Sequence, residues 1–211
     1  MEKAKTSNEA EQAKDYLMIL GRIADELSKV ERVPRYTNGE RENDVEHSYL
    51  LALSATEIAK DYFPELDSGL VTQFCLVHDL TEVYAGDTST LNISDENLVK
   101  KQLSEQEAFE KLSKELPPYT LELLIRYEAQ IEPEARFVRY IDKIMPGIIN
   151  IVGKDVSTFL EDGNINGLEK FDKVIKDNQQ RLQNMFPELP FITELMFIVE
   201  YELRKTFFKV D

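Results

Sequence analysis

Only two histidines occur in the 211 residues, and each sits beside an acid on a helix-compatible stretch: Glu46-His47 and His78-Asp79. The second pair closes the apolar run Phe74-Cys75-Leu76-Val77, with Glu82 three residues after Asp79 and Gly86-Asp87 just beyond. Far downstream, Asp142 is four residues from Val138 and three from Met145, so it falls on an inward, apolar helical face. Leaving such groups buried and unpaired costs on the order of several kcal/mol, and a shared metal ion is the most economical remedy. His47, His78, Asp79 and Asp142 make a mixed nitrogen–oxygen donor set. That set suits Co, Mn, Zn, Fe or Ni better than Mg or Ca. Four protein ligands on a six-coordinate divalent ion leave room for water and substrate, and a water so held is acidified enough to attack phosphorus.

The elements that must carry these residues read as helices. Leu17, Leu20, Ile23, Ala24, Leu27 and Val30 form a stripe over about 11–30. The segment from Glu31 to Gly39 is expected to be irregular, because Val33 precedes a proline and Asn38-Gly39 signals a turn. Asn43 or Asp44 can cap the next helix, which carries His47 and runs to about Tyr62. Asp67 or Ser68 can cap a helix that is apolar nearly all round, is therefore central, and holds His78 and Asp79 in its last turns. Asp87 opens a loop through Thr90. The charged stretch 94–116 is expected to be an exposed or partner-covering helix without chemistry. A short helix near 121–128 follows, then one opened by Glu132-Pro133-Glu134 that places Asp142 inward and Lys143 elsewhere, with a kink expected at Pro146. Asp162-Gly163-Asn164-Ile165-Asn166-Gly167 lacks the spacing of a calcium loop and reads as a plain turn. Two final helices follow, separated by Phe186-Pro187 and Leu189-Pro190. The fold class expected is all-α.

With 25 Lys and Arg against 40 Asp and Glu, the net charge is −15. That balance argues against binding nucleic acid or an anionic membrane surface, and no apolar run is long enough to span a bilayer. The amino terminus shows no secretory signal pattern. The single Cys75 lies in an apolar run and reads as a buried, inert thiol, in keeping with a cytoplasmic location. One domain is expected for this length.

The order His, then His-Asp, then a distant Asp resembles the HD-domain metal-dependent phosphohydrolases. Arg32-Val33-Pro34, Val45-Glu46-His47-Ser48, His78-Asp79-Leu80-Thr81-Glu82, Gly86-Asp87 and Asp142-Lys143 look most like the HD-domain 5′-deoxynucleotidases. The resemblance covers about residues 10–150. It implies a single helical HD bundle over 1–211, with its core in 10–150 and helices over about 165–209 packed on it, often as a homodimer. It implies that His47, His78, Asp79 and Asp142 hold one divalent metal, that Glu82 and Asp87 act on the attacking water or the leaving oxygen, and that Arg32 helps bind a nucleotide. Val33 stands where some of these enzymes carry tryptophan. The implied reaction is hydrolysis of a nucleoside 5′-monophosphate to nucleoside and phosphate. Release of triphosphate from deoxynucleoside triphosphates, and non-catalytic sensing of a metal or nucleotide, are the alternatives. Between residues 31 and 90 only Arg32, Arg35, Arg41 and Lys60 are cationic, which favours a monophosphate over a triphosphate.

Overall fold

A computed structural model describes residues 7–88 and 95–209. Ten helices and one two-stranded ribbon are seen among them. Helix α1 (Ser7–Leu27) turns only Ile23 and Leu27 fully inward, and Leu17 and Met18 stay exposed. The segment expected to be irregular is instead a hairpin. Strand β1 (Glu31–Arg35) pairs antiparallel with β2 (Arg41–Asn43) across a turn in which Gly39 has φ +84°. The sequence carries no strand alternation here because the inward residues of β1 are Arg32 and Pro34, not aliphatic side chains. A proline that donates nothing to the ladder is tolerated on such an edge.

Asn43 then caps helix α2 (Asp44–Tyr62), accepting from the Val45 and Glu46 amides while Glu46 accepts from the Asn43 amide. This reciprocal box satisfies otherwise orphaned donors and fixes where the helix starts. It therefore also fixes the azimuth of His47, one turn in. Asp67 caps α3 (Ser68–Val77) with its side chain alone, accepting from the Gly69 and Leu70 amides. Helix α3 is central as expected: Val71, Phe74 and Cys75 are wholly buried, and it packs on α2, on α6 (Pro118–Ala129) and on α7 (Pro133–Gly153). It stops at Val77, so His78 is its cap and Asp79 lies just past the end.

The short α4 (Glu82–Ala85) ends at Gly86, whose φ of +71° suits glycine. The expected loop beyond Asp87 is seen only through Thr88; residues 89, 90 and 94 lie outside the described part. Helix α5 (Asp95–Leu112) packs on α4, and the Tyr84 hydroxyl donates to Glu115 just past its end at 2.7 Å. Helix α7 carries Pro146 in its interior and continues to Gly153. There a Cβ would meet the Arg35 carbonyl at 2.0 Å, so only glycine lets β1 lie so close. After α8 (Ser157–Asp162) come α9 (Leu168–Met185) and α10 (Pro190–Phe208). Helix α10 packs on α7, and Gly147 is the close approach: a Cβ there would lie 2.9 Å from Val199 Cγ1. A second apolar cluster of Ile165, Phe171, Val174 and Leu203 sits under these last helices. Among the described residues no helix is long and apolar enough to cross a membrane.

Candidate metal centre and its cavity

The ends of α2 and α3 and the middle of α7 bring the four expected ligands to one place. One donor atom each from His47, His78 and Asp79 lies within 4.8 Å of the others. Asp142 Oδ1 is 3.0 Å from His47 Nε2 and 3.9 Å from His78 Nε2. Asp79 Oδ2 is 2.9 Å from His78 Nε2 and 4.0 Å from His47 Nε2. Both histidines are buried, and their rings lie 5.2 Å apart.

The tautomer of His78 tests whether a cation fits. His78 Nδ1 lies 2.8 Å from the Cys75 carbonyl, which can only accept, so Nδ1 carries a proton. In the neutral ring Nε2 is then a bare lone pair. It faces the Asp79 carboxylate at 2.9 Å without hydrogen-bond geometry. A lone pair against a carboxylate oxygen is repulsive unless positive charge lies between them. Imidazole nitrogen and carboxylate oxygen converging in this way are a donor set for a divalent cation, and the backbone carbonyl behind His78 is the kind of outer partner that fixes a ligating ring.

Sequence reading missed the groups behind His47. Glu42 on β2 is fully buried, and its Oε2 is 3.5 Å from His47 Nδ1. Burial and the Arg32 charge press the imidazole toward neutrality, but the hydrogen bond to Asp142 and the nearness of Glu42 outweigh them, and its pKa is pushed up to about 9. Asp44, at the start of α2, is also fully buried, and burial followed by the Asp79 charge raises its pKa to about 7.

Arg32 holds these acids together. Its guanidinium is 2.9 Å from Asp79, 3.3 Å from Asp44, 3.4 Å from Glu42 and 3.7 Å from Asp142. Burial works against that charge, yet the surrounding carboxylates keep it firmly protonated. The side chain expected to help bind a nucleotide thus lines the cavity while its donors are largely committed to protein. Desolvation works against ionisation of the Asp79 and Asp142 carboxyls, but the Arg32 charge beside one and the Lys143 charge beside the other hold both below the usual carboxylate range. Lys143 does not point elsewhere: its Nζ is 2.6 Å from Asp142 Oδ2, because a long flexible stem lets a neighbouring residue curl back.

Glu82 and Asp87 face the same cavity, which has a volume of about 780 Å³. Glu82 is buried, its Oε2 has no hydrogen-bond partner among the described residues, and burial followed by the Asp79 charge pushes its pKa up to about 9. Burial likewise raises Asp87, against the pull of Arg32. The helix expected to lack chemistry forms the opposite wall. Lys101 on α5 lies 3.8 Å from Glu82 and 2.6 Å from Glu105. Its charge was hidden among the many solvated ones of that helix, and only the observed packing on α4 turns it inward.

A family model for the HD domain matches residues 24–190. The chain belongs to the HD domain family. It is 32% identical over 127 residues to the human 5′-deoxynucleotidase HDDC2, a match covering 56% of this chain and 59% of that protein. It is 32% identical over 131 residues to the 5′-deoxynucleotidase hdd1 of Schizosaccharomyces pombe, covering 56% and 63%. The matched stretches thus span about three fifths of those relatives' length. A solved structure described as a "Predicted metal-dependent phosphohydrolase", from Magnetospirillum magnetotacticum MS-1, superposes with a TM-score of 0.61 over 90% of this chain and 96% of that one, at 24% identity. That likeness concerns the fold. Helix α10 lies outside the residues matched to the family model except for its first residue, Pro190.

Proposed function

We propose that this chain hydrolyses (deoxy)nucleoside 5′-monophosphates to nucleoside and phosphate, with one divalent transition metal held by His47, His78, Asp79 and Asp142. The observation that carries this is the bare His78 Nε2 facing Asp79, with His47 and Asp142 converging on the same point. The names of the relatives at 32% identity support the substrate class. When bound, the cation supplies a Lewis acid for phosphoryl oxygen and lowers the pKa of water. Co, Mn, Zn, Fe and Ni all suit this donor set.

The chain's own residues have separate tasks. Glu82, whose carboxyl is raised by burial, is placed to give a proton to the departing 5′-oxygen. Asp87, on the same wall, orients the water. Arg32 fixes Asp79 and Asp142 and presents its edge to the phosphate, and Lys101 adds a second cation beside Glu82.

The cationic groups at the metal-ligand end of the cavity are already partnered, while Arg181, from α9, donates to the neutral Asn178. Arg32 is committed to acids, Lys101 to Glu105, Lys143 to Asp142, and Arg139 lies 3.4 Å from Glu128. That leaves enough positive charge for a monoester dianion and too little for a triphosphate. The free, buried Cys75 supports a reducing cytoplasm, and the net charge supports a small-molecule substrate with neither nucleic acid nor membrane as partner. Exposed Leu17, Met18, Tyr49 and Leu53 support a homodimer.

The test is product analysis with dAMP and dATP at equal metal. Deoxyadenosine and orthophosphate should form from dAMP. Tripolyphosphate from dATP with dAMP intact would replace this reading with triphosphohydrolysis, and no turnover with either would leave a sensing module.

A further inference from the structure

The cavity does not stop at the metal centre. Arg139, Asp142, Lys143, Pro146, Gly147 and Asn150 all line it, and their spacing of three and one places them on one face of α7. From Asp142 to Asn150 is eight residues, or about 12 Å along the helix axis. That is close to the reach of a nucleotide from phosphorus to the outer edge of its base.

At that far end the walls are largely apolar, with Phe159, Ile175, Val199 and Leu203 from α8, α9 and α10. Asn150 is fully buried there, and neither its amide nitrogen nor its amide oxygen has a hydrogen-bond partner among the described residues. A buried amide left without partners is costly. Its neighbours on the cavity wall are occupied differently: Arg181 donates to Asn178 at 2.9 Å, and Glu200 accepts from Gln179. Asn150 thus offers a donor and an acceptor that nothing among the described residues consumes, at nucleotide length from the proposed phosphate position.

We infer that the α7–α9–α10 end of the cavity is the nucleobase subsite, and that Asn150 reads the base by pairing its amide with a donor and an adjacent acceptor on the base edge. This rests on the monophosphatase reading above. The geometry of the pairing is the one by which asparagine recognises adenine elsewhere, donor to ring nitrogen and acceptor from exocyclic amine. Phe159, Ile175 and the Pro146 ring supply apolar surface for the ring faces.

The experiment compares wild type with Asn150→Leu, the full chain in each case, loaded with cobalt. The ratio of kcat/KM for dAMP to that for deoxyribose 5-phosphate should fall by about 10- to 100-fold, the loss expected for one bidentate base contact. The variant should melt at a higher temperature, because leucine removes an unpaired buried amide. Asn150→Ala, smaller than the native residue, serves if leucine does not fit. An unchanged ratio, with both substrates affected alike, overturns the base-reading role. Calorimetry with deoxyadenosine separates this inference from the reaction class. If no phosphate is released from any substrate but deoxyadenosine binds wild type and not the variant, the subsite stands and the monophosphatase reading falls. Equal binding, or none, to both proteins overturns the subsite.

Discussion

Along one face of α7 a single cavity passes between two kinds of wall. At the Asp142 end every charge meets several others: Arg32 touches four carboxylates, and Asp142 meets His47, His78 and Lys143. At the Asn150 end a buried amide meets no polar partner among the described residues. The crowded end is held in shape by interleaved opposite charge, so its donors are aimed before any ligand arrives. The sparse end is shaped by apolar packing and leaves the Asn150 amide waiting. On the proposed reading, one positions the reacting atoms and the other chooses what is attached to them.

Breaking the crowded end should have the largest effect. Asp142→Ala removes the carboxylate that meets both imidazoles, and His47→Ala removes one of those imidazoles. Each should lose bound metal and turnover together while circular dichroism still reports the helices. Stoichiometric metal with full turnover in either variant would mean that the four-residue assignment is wrong.

A smaller change separates holding from proton transfer. Glu82→Ala should keep its metal and slow the chemical step by roughly 10²–10⁴-fold, the range for a lost general acid. Metal analysis of the purified variant decides it, since loss of metal as well would move Glu82 into the coordinating set.

The smallest effect concerns the sparse end, and it is on stability. Burial pushes the Glu200 carboxyl up to about 7, against a usual value of 4.5, while Gln179 pulls the other way. The folded chain therefore holds this proton more tightly than the unfolded chain. Stability from this group is fully present below about pH 4.5 and falls as pH rises toward 7. Glu200→Gln should remove that slope and leave the protein more stable than wild type at pH 8, by roughly 1–3 kcal/mol. Thermal melts of both proteins at pH 5 and pH 8 measure it, and parallel shifts would show that Glu200 ionises freely in the fold.

The crowded end was legible in sequence because histidine and aspartate interrupt apolar periodicity at Val77-His78-Asp79 and Ile141-Asp142. Glu42, Asp44 and Lys101 were not, because each lies in a polar stretch where an inward charge looks like its solvated neighbours. The helices and their caps followed from Asn43, Asp67 and the apolar stripes, whereas the β1–β2 hairpin was hidden by an arginine taking an inward place. Asn150 carried the same signal as Asp142, a polar residue in Ile148-Ile149-Asn150-Ile151-Val152, and could have been found by the same rule.

Far from the cavity, the Glu134 carboxylate accepts the Asp67 amide at 3.0 Å. Asp67 begins α3 and Glu134 begins α7, while His78 at the end of α3 lies 3.9 Å from Asp142 in the middle of α7. The two helices run side by side in the same direction, fastened at their starts and again where the end of α3 meets the middle of α7. A ligand that tightens the far fastening can therefore slow opening along the whole pair. In amide exchange, the backbone between the two fastenings would then exchange as one cooperative unit.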